Sequence, residues 1–309
     1  MNFCFFGVGG VGGYFGALMT NNFSEKHDIF FVARGPHKDA INSQGLTLKK
    51  SGGKELINVF PKLCTDNVND LPVCDIIVLS VKAYDLENAV SEIAKISDVN
   101  TVILPLLNGV DIYERIRRQL STGFVLPSCV YVGTHIESPG LIYQKGGSCQ
   151  ISLGKDPMYP DFYPEALLLL LNDSSIDFEW EGPVQISIWS KYIFIAAFGL
   201  VTAAYDKTLG EILDSPELSE LTKSIMAEIE EIAKKLDVPL VRDIVETSFS
   251  KAKGFPYETK TSFQRDVEFK GKINEGDLFG GTVIRYGTEL NIATPNTELV
   301  YSKLLDKFD

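Results

Sequence analysis

The sequence lacks a basic excess, a cysteine pairing pattern, a clean membrane span and an acid at one telling position. Lys and Arg number 29 against 41 Asp and Glu, a formal charge of −12. Nucleic acid or an anionic membrane needs a basic footprint, so neither is expected as a main partner. The five cysteines (Cys4, Cys64, Cys74, Cys129, Cys149) are odd in number and show no CxxC or zinc spacing. That usage fits reduced thiols packed as small hydrophobes in a cytoplasmic protein and offers no metal site. No basic region precedes the first apolar run, so no secretory leader is expected. Residues 186–205 come nearest to a membrane span, but Ser187, Ser190, Lys191 and Gly199 interrupt them. A charge in mid-span is costly in lipid. The segment reads as a buried helix, with the core of a homodimer as the other use of its apolar surface.

What is present is informative from the first residues. Asn2-Phe3-Cys4-Phe5-Phe6 is long enough for one buried strand, and it runs directly into Gly7-Val8-Gly9-Gly10-Val11-Gly12-Gly13 and a helix-like pattern. This strand–GxGxxG–helix context is what a dinucleotide site requires. Gly7 permits the tight turn, Gly9 lets a pyrophosphate approach the backbone, and Gly12 lets helix and strand pack closely. NAD enzymes ordinarily place an Asp or Glu at the end of the second strand, about twenty residues on, to accept the ribose hydroxyls. Here residues 28–32 are followed by Ala33 and Arg34, with His37 and Lys38 just beyond. A carboxylate would repel a 2′-phosphate, whereas a guanidinium fork can hold it. The expected cofactor is NADPH/NADP.

A chain of 309 residues with 45% hydrophobic content suggests two globular domains. Up to about residue 180, strand and helix patterns alternate. Residues 75–81 and 101–106 are apolar enough for parallel strands covered on both faces, with helical spacing over 84–96 between them. Residues 125–133 and 149–153 read as further strands of the same doubly wound sheet. After Pro183 the strand signals stop. Ser215-Pro216-Glu217 is a helix start, and apolar residues recur from Leu218 to Leu236 at three- and four-residue spacing, with Lys234 and Lys235 near the end. Residues 297–308 also read as helix. The expected fold is an α/β Rossmann-type domain over 1–181, binding NADP, followed by an all-α substrate domain over 182–309.

Four polar places stand out. Lys82 and Asn108 follow the strands at 75–81 and 101–106, on the edge where a cofactor should lie; each also suits a plain loop or turn. Lys191 sits in a helix apolar nearly all round. It either snorkels or faces a cleft where desolvation would lower its pKa and suit it to protonate a carbonyl oxygen. Ser262 and Glu275 fall in two polar stretches, where a hydroxyl could bind a carboxylate and an acid could pair with a lysine.

Taken in order, these stretches resemble the ketopantoate reductases (2-dehydropantoate 2-reductases) over nearly the whole chain. The likeness runs through the glycine motif, Arg34, Val81-Lys82-Ala83, Leu107-Asn108-Gly109-Val110, Trp189-Ser190-Lys191 and Thr261-Ser262-Phe263-Gln264-Arg265-Asp266. It continues in Glu275-Gly276-Asp277, Gly281, Arg285, Gly287 and Thr294-Pro295. The resemblance implies NADPH-dependent reduction of 2-dehydropantoate to (R)-pantoate on the way to pantothenate, with substrate between the domains. It assigns Lys191 as general acid and Glu275 as its partner and a substrate contact. It makes Ser262 the carboxylate ligand, and Lys82 and Asn108 contacts for cofactor and substrate. Three positions depart from the family pattern: Ile195, Gly199 and Thr259 stand where asparagines are usual. A pocket with fewer hydrogen-bonding groups reads a substrate hydroxyl less sharply. Two other readings therefore stay open, a reductase of a more apolar 2-keto acid and an NADP-binding sensor without turnover.

Overall fold

Strand β1 (Asn2–Phe6), four of whose five residues are buried, lies inside a six-stranded parallel sheet. The computed structural model describes residues 1–52, 56–268 and 273–308. After β1 come α1 (Gly10–Phe23), β2 (Asp28–Val32), α2 (Gly35–Gln44), β3 (Leu46–Lys50), β4 (Leu56–Val59), β5 (Leu63–Thr65) and β6 (Ile76–Leu79). Then follow α3 (Leu86–Ile93), β7 (Val102–Pro105), α4 (Ile112–Arg117), β8 (Phe124–Val125), β9 (Ser128–Ser138), β10 (Leu141–Gly154), α5 (Glu165–Asp173) and β11 (Phe178–Glu181).

The parallel sheet has the order β5-β2-β1-β6-β7-β8. Counting only its own strands in chain order gives 3-2-1-4-5-6, the doubly wound dinucleotide arrangement, whose switch point lies between the first and fourth strands. Here those are β1 and β6, paired Phe6 to Leu79 at their ends.

Of the strands read at 125–133 and 149–153, Val125 ends β8 of this sheet, but the rest belong elsewhere, which corrects the sequence expectation. β9 and β10 form a long antiparallel hairpin in a second sheet of order β11-β10-β3-β4. The hairpin's distal half is largely exposed, so it lacks the continuous apolar run of a strand covered on both faces. Helix α1 is apolar on all sides because it lies between the two sheets. Its Gly16 rests on Phe5 and Phe31 of the first, and its Gly13 on Ile142 of the second.

The chain divides into two compact units, 1–108 with 112–184, and 109–111 with 185–309. The second unit is helical: α6 (Gln185–Tyr205), α7 (Leu209–Asp214), α8 (Pro216–Lys235), α9 (Ile244–Lys251), α10 (Ser262–Val267), α11 (Thr282–Leu290) and α12 (Pro295–Phe308). Ser215 caps α8 by accepting the Leu218 N–H at 3.3 Å, with Pro216 in the first turn. Helix α6 is the centre of this unit, packed by α8, α9, α10 and α12. Among the described residues it alone is long and apolar enough to cross a membrane, and 61% of its apolar window is buried within the protein.

Candidate functional site

At the end of β1, Gly7 takes φ +95°, and a Cβ there would stand 2.9 Å from the Ser80 backbone. The Gly7 and Val8 N–H groups both donate to the Val32 carbonyl, at 3.1 and 3.2 Å. Ser80 Oγ donates to the Gly7 carbonyl at 2.9 Å. A Cβ on Gly12 would lie 2.3 Å from both Gly7 O and Ser80 Oγ, so only glycine lets α1 start this close to the turn. Gly9, by contrast, has nothing within 4 Å of a modest side-chain position. No side chain caps α1 and its first turn carries no acid; Gly13, donating to Gly9 O at 2.8 Å, begins the internal ladder. The N–H groups of Gly10, Val11 and Gly12 precede that ladder. Packed where glycine is obligatory and open at Gly9, the loop fits a pyrophosphate. Ser80 went unread as part of the loop; its signal was a small polar residue ending an apolar strand.

Arg34 leaves β2 as the extended N-cap residue of α2, 62% exposed, with its guanidinium 3.7 Å from Asp85. One turn on, Lys38 Nζ meets Asp66 at 2.8 Å. That bond holds the Asp66 carboxyl below the ordinary carboxylate range, with a lesser contribution from Arg34. The acid missing from β2 is thus replaced by two carboxylates, from after β5 and after β6, and each is already paired with a cation. His37 Nδ1 accepts the Gly140 N–H at 3.0 Å. Burial holds this imidazole below its ordinary pKa, the Val8 carbonyl of the glycine loop acting weakly the other way.

Lys82 and Asn108 emerge on the same edge. The Ser80 N–H donates to Phe6 O and the Leu106 N–H to Leu79 O, so β6 and β7 end level with β1. Lys82 is exposed and opens the 3₁₀ turn Ala83–Asp85, while Asn108 is half-buried.

In the helical unit, Lys191 is half-buried on α6 and Glu275 is buried, 7% exposed. Glu275 stands just before Asp277–Gly281, which is a π turn leading into α11. π turns inside helices recur at functional sites. The turn is fastened to α6 by Tyr192, whose hydroxyl donates to Leu278 O at 2.6 Å and contacts Phe279 O at 3.3 Å. Arg285 braces its other side, donating to Asp277 Oδ1 at 2.6 Å. Ser262 is the exposed first residue of α10. Its neighbour Thr261 caps that helix through the Gln264 N–H at 3.1 Å and meets Thr202 of α6 at 2.8 Å.

Ile195, half-buried, lies one turn from Lys191 on the same face. Gly199 does not open a gap there. A Cβ on it would touch Phe263 at 3.7 Å and Phe279 at 3.9 Å, so two aromatic rings cover the position. Thr259 is half-buried, and its carbonyl accepts the Leu209 N–H at 2.9 Å.

Sheet order and glycine cradle define a dinucleotide-binding fold with a helical second unit. Comparison with known proteins specifies it further. Residues 3–157 match the family model "Ketopantoate reductase PanE/ApbA", and 184–307 match "Ketopantoate reductase PanE/ApbA C terminal". The chain belongs to the ketopantoate reductase family, whose members are NAD(P)H-dependent oxidoreductases. It is 28% identical over 305 residues to an uncharacterized oxidoreductase of Bacillus subtilis (strain 168), covering 98% of each chain. A crystal structure of 2-dehydropantoate 2-reductase from Porphyromonas gingivalis W83 superposes with TM-score 0.83 at 27% identity, over 99% of both chains. A dimeric ketopantoate reductase from Staphylococcus aureus shares the fold, with TM-score 0.81 at 18% identity over 100% and 99% of the two chains.

Proposed function

We propose that the protein reduces 2-dehydropantoate to (R)-pantoate with NADPH, in pantothenate biosynthesis. The observation that carries this is a half-buried lysine on α6 beside the turn that presents a buried glutamate, in a chain of this family. Gly10, Val11 and Gly12 offer their backbone N–H groups to the pyrophosphate, while Gly7, Val8 and Gly9, whose N–H groups go to the Val32 and Gly7 carbonyls, shape the loop around it. Arg34 takes the 2′-phosphate, with Lys38 a further cation one turn away. The bound nicotinamide supplies hydride to the ketone carbon. Lys191 donates its ammonium proton to the ketone oxygen as negative charge develops there. A cation at that point favours the transition state over the neutral ketone. Glu275 orients Lys191 and contacts substrate, Ser262 donates to the carboxylate, and Lys82 and Asn108 position cofactor and substrate.

Ile195 favours a second reading, a reductase of a more apolar branched 2-keto acid, because an alkyl side chain offers a substrate hydroxyl no partner. The five free cysteines support a cytoplasmic location, and the dimeric relative supports a homodimer. NADPH oxidation with a panel of 2-keto acids tests the proposal. Turnover with 2-dehydropantoate is the expected result. Preference for an apolar keto acid would favour the second reading, and cofactor binding without turnover on any would leave a sensor protein.

A further inference from the structure

We infer that Tyr192 is a positioning residue. Its hydroxyl fixes the π turn against α6 and so sets where Glu275 stands relative to the helix that carries Lys191. The inference rests on the proposed roles of those two residues.

The argument begins with the backbone ladder. Where the chain enters the π turn, the Phe279 N–H donates to Glu275 O with ordinary α spacing. Within it, the Thr282 N–H donates to Asp277 O, five residues back. Thr282 is the donor that Leu278 O would meet in an α-helix, so the wider turn takes away this carbonyl's usual partner. A buried carbonyl without a donor is costly. The Tyr192 hydroxyl occupies that place at 2.6 Å, its ring fully buried and its phenol pushed well above the ordinary pKa by burial. The phenol therefore remains a neutral donor.

Tyr192 follows Lys191 directly, and Leu278 is three residues past Glu275. One hydrogen bond thus spans the two elements at almost the points where the two reactive groups leave them. The rest of the turn is braced away from α6. The Arg285–Asp277 pair crosses over Gly281, where a Cβ would be 2.1 Å from Asp277 Oδ1. The surrounding rings pack without fixing the axial register: Trp189 to Tyr286 at 6.1 Å and Tyr192 to Phe279 at 6.4 Å.

Tyr192→Phe removes the hydroxyl and keeps the ring. Thr222→Val is a matched control, because Thr222 is fully buried on α8 and bonds only Leu218 O, at 2.7 Å. With NADPH and the best keto acid, Tyr192→Phe should lower kcat by about 10- to 100-fold, as a misplacement of an ångström or less can. It should also shift the limb of the pH–kcat/KM profile set by Lys191, while NADPH affinity stays near wild type. Thr222→Val should lower Tm comparably and leave kcat and the pH profile alone. If Tyr192→Phe also keeps a wild-type kcat and pH profile while Lys191→Ala and Glu275→Ala lose turnover, Tyr192 is a structural residue only. If Lys191→Ala itself retains turnover, the reading beneath the inference fails, and the inference with it.

Discussion

Arg34→Ala should weaken NADPH far more than NADH. A charge-assisted bond from arginine to phosphate is worth about 1.5–3 kcal/mol. In the free protein this guanidinium already faces Asp85 at 3.7 Å, with the two side chains 62% and 40% exposed. An exposed pair of that kind contributes about 0–1 kcal/mol, which the phosphate must displace. The net preference is then about 0.5–3 kcal/mol, or about 2- to 150-fold in Kd. Removing the competitor should act the other way, so Asp85→Asn tightens NADPH by up to about fivefold and leaves NADH nearly unchanged. Fluorescence titration of both cofactors against wild type and the two variants reads these differences directly. Equal affinities in wild type, or an Arg34→Ala variant that loses both cofactors alike, would refute the reasoning.

Ile195→Asn should move the kcat/KM ratio toward 2-dehydropantoate over ketoisovalerate by about tenfold, if one hydrogen bond near 1.4 kcal/mol is gained. Should wild type already prefer 2-dehydropantoate by several orders of magnitude, other residues read the hydroxyl. His37 gives a pH test. Its folded-state pKa is depressed by burial from an ordinary 6.5, and protonation would break the bond from Gly140 to Nδ1. The unfolded chain therefore binds the proton first, so this site's contribution is full above about pH 6.5 and is lost as pH falls below it. Denaturant midpoints measured across that range should fall more steeply for wild type than for His37→Gln; parallel curves would count against it.

Local features were legible in the sequence and distant pairings were not. The glycine loop announces itself because strand, turn and helix start are contiguous from Asn2 onward. The Ser215 cap is likewise contained in three residues. The second sheet was missed because its pairings are distant, Leu141 with Thr47 and Ile151 with Phe178, and its hairpin is half exposed. Arg34 and Lys38 were visible as cations, but Asp85 and Asp66 become their partners only when β5 and β6 flank β2 and β1. Tyr192 passed as one more apolar residue of α6, since the carbonyl that uses its hydroxyl lies 86 residues away. The rings that cover Gly199 come from residues 263 and 279, too distant in sequence to be read from the helix itself.

The central claim is that Lys191 delivers the proton. Stopped-flow or steady-state NADPH oxidation by Lys191→Ala, beside a cofactor titration of the same preparation, tests it most directly. The account predicts NADPH affinity close to wild type with kcat reduced by about 10²- to 10⁴-fold, the range for loss of a general acid. A Lys191→Ala enzyme turning over at the wild-type rate would contradict it.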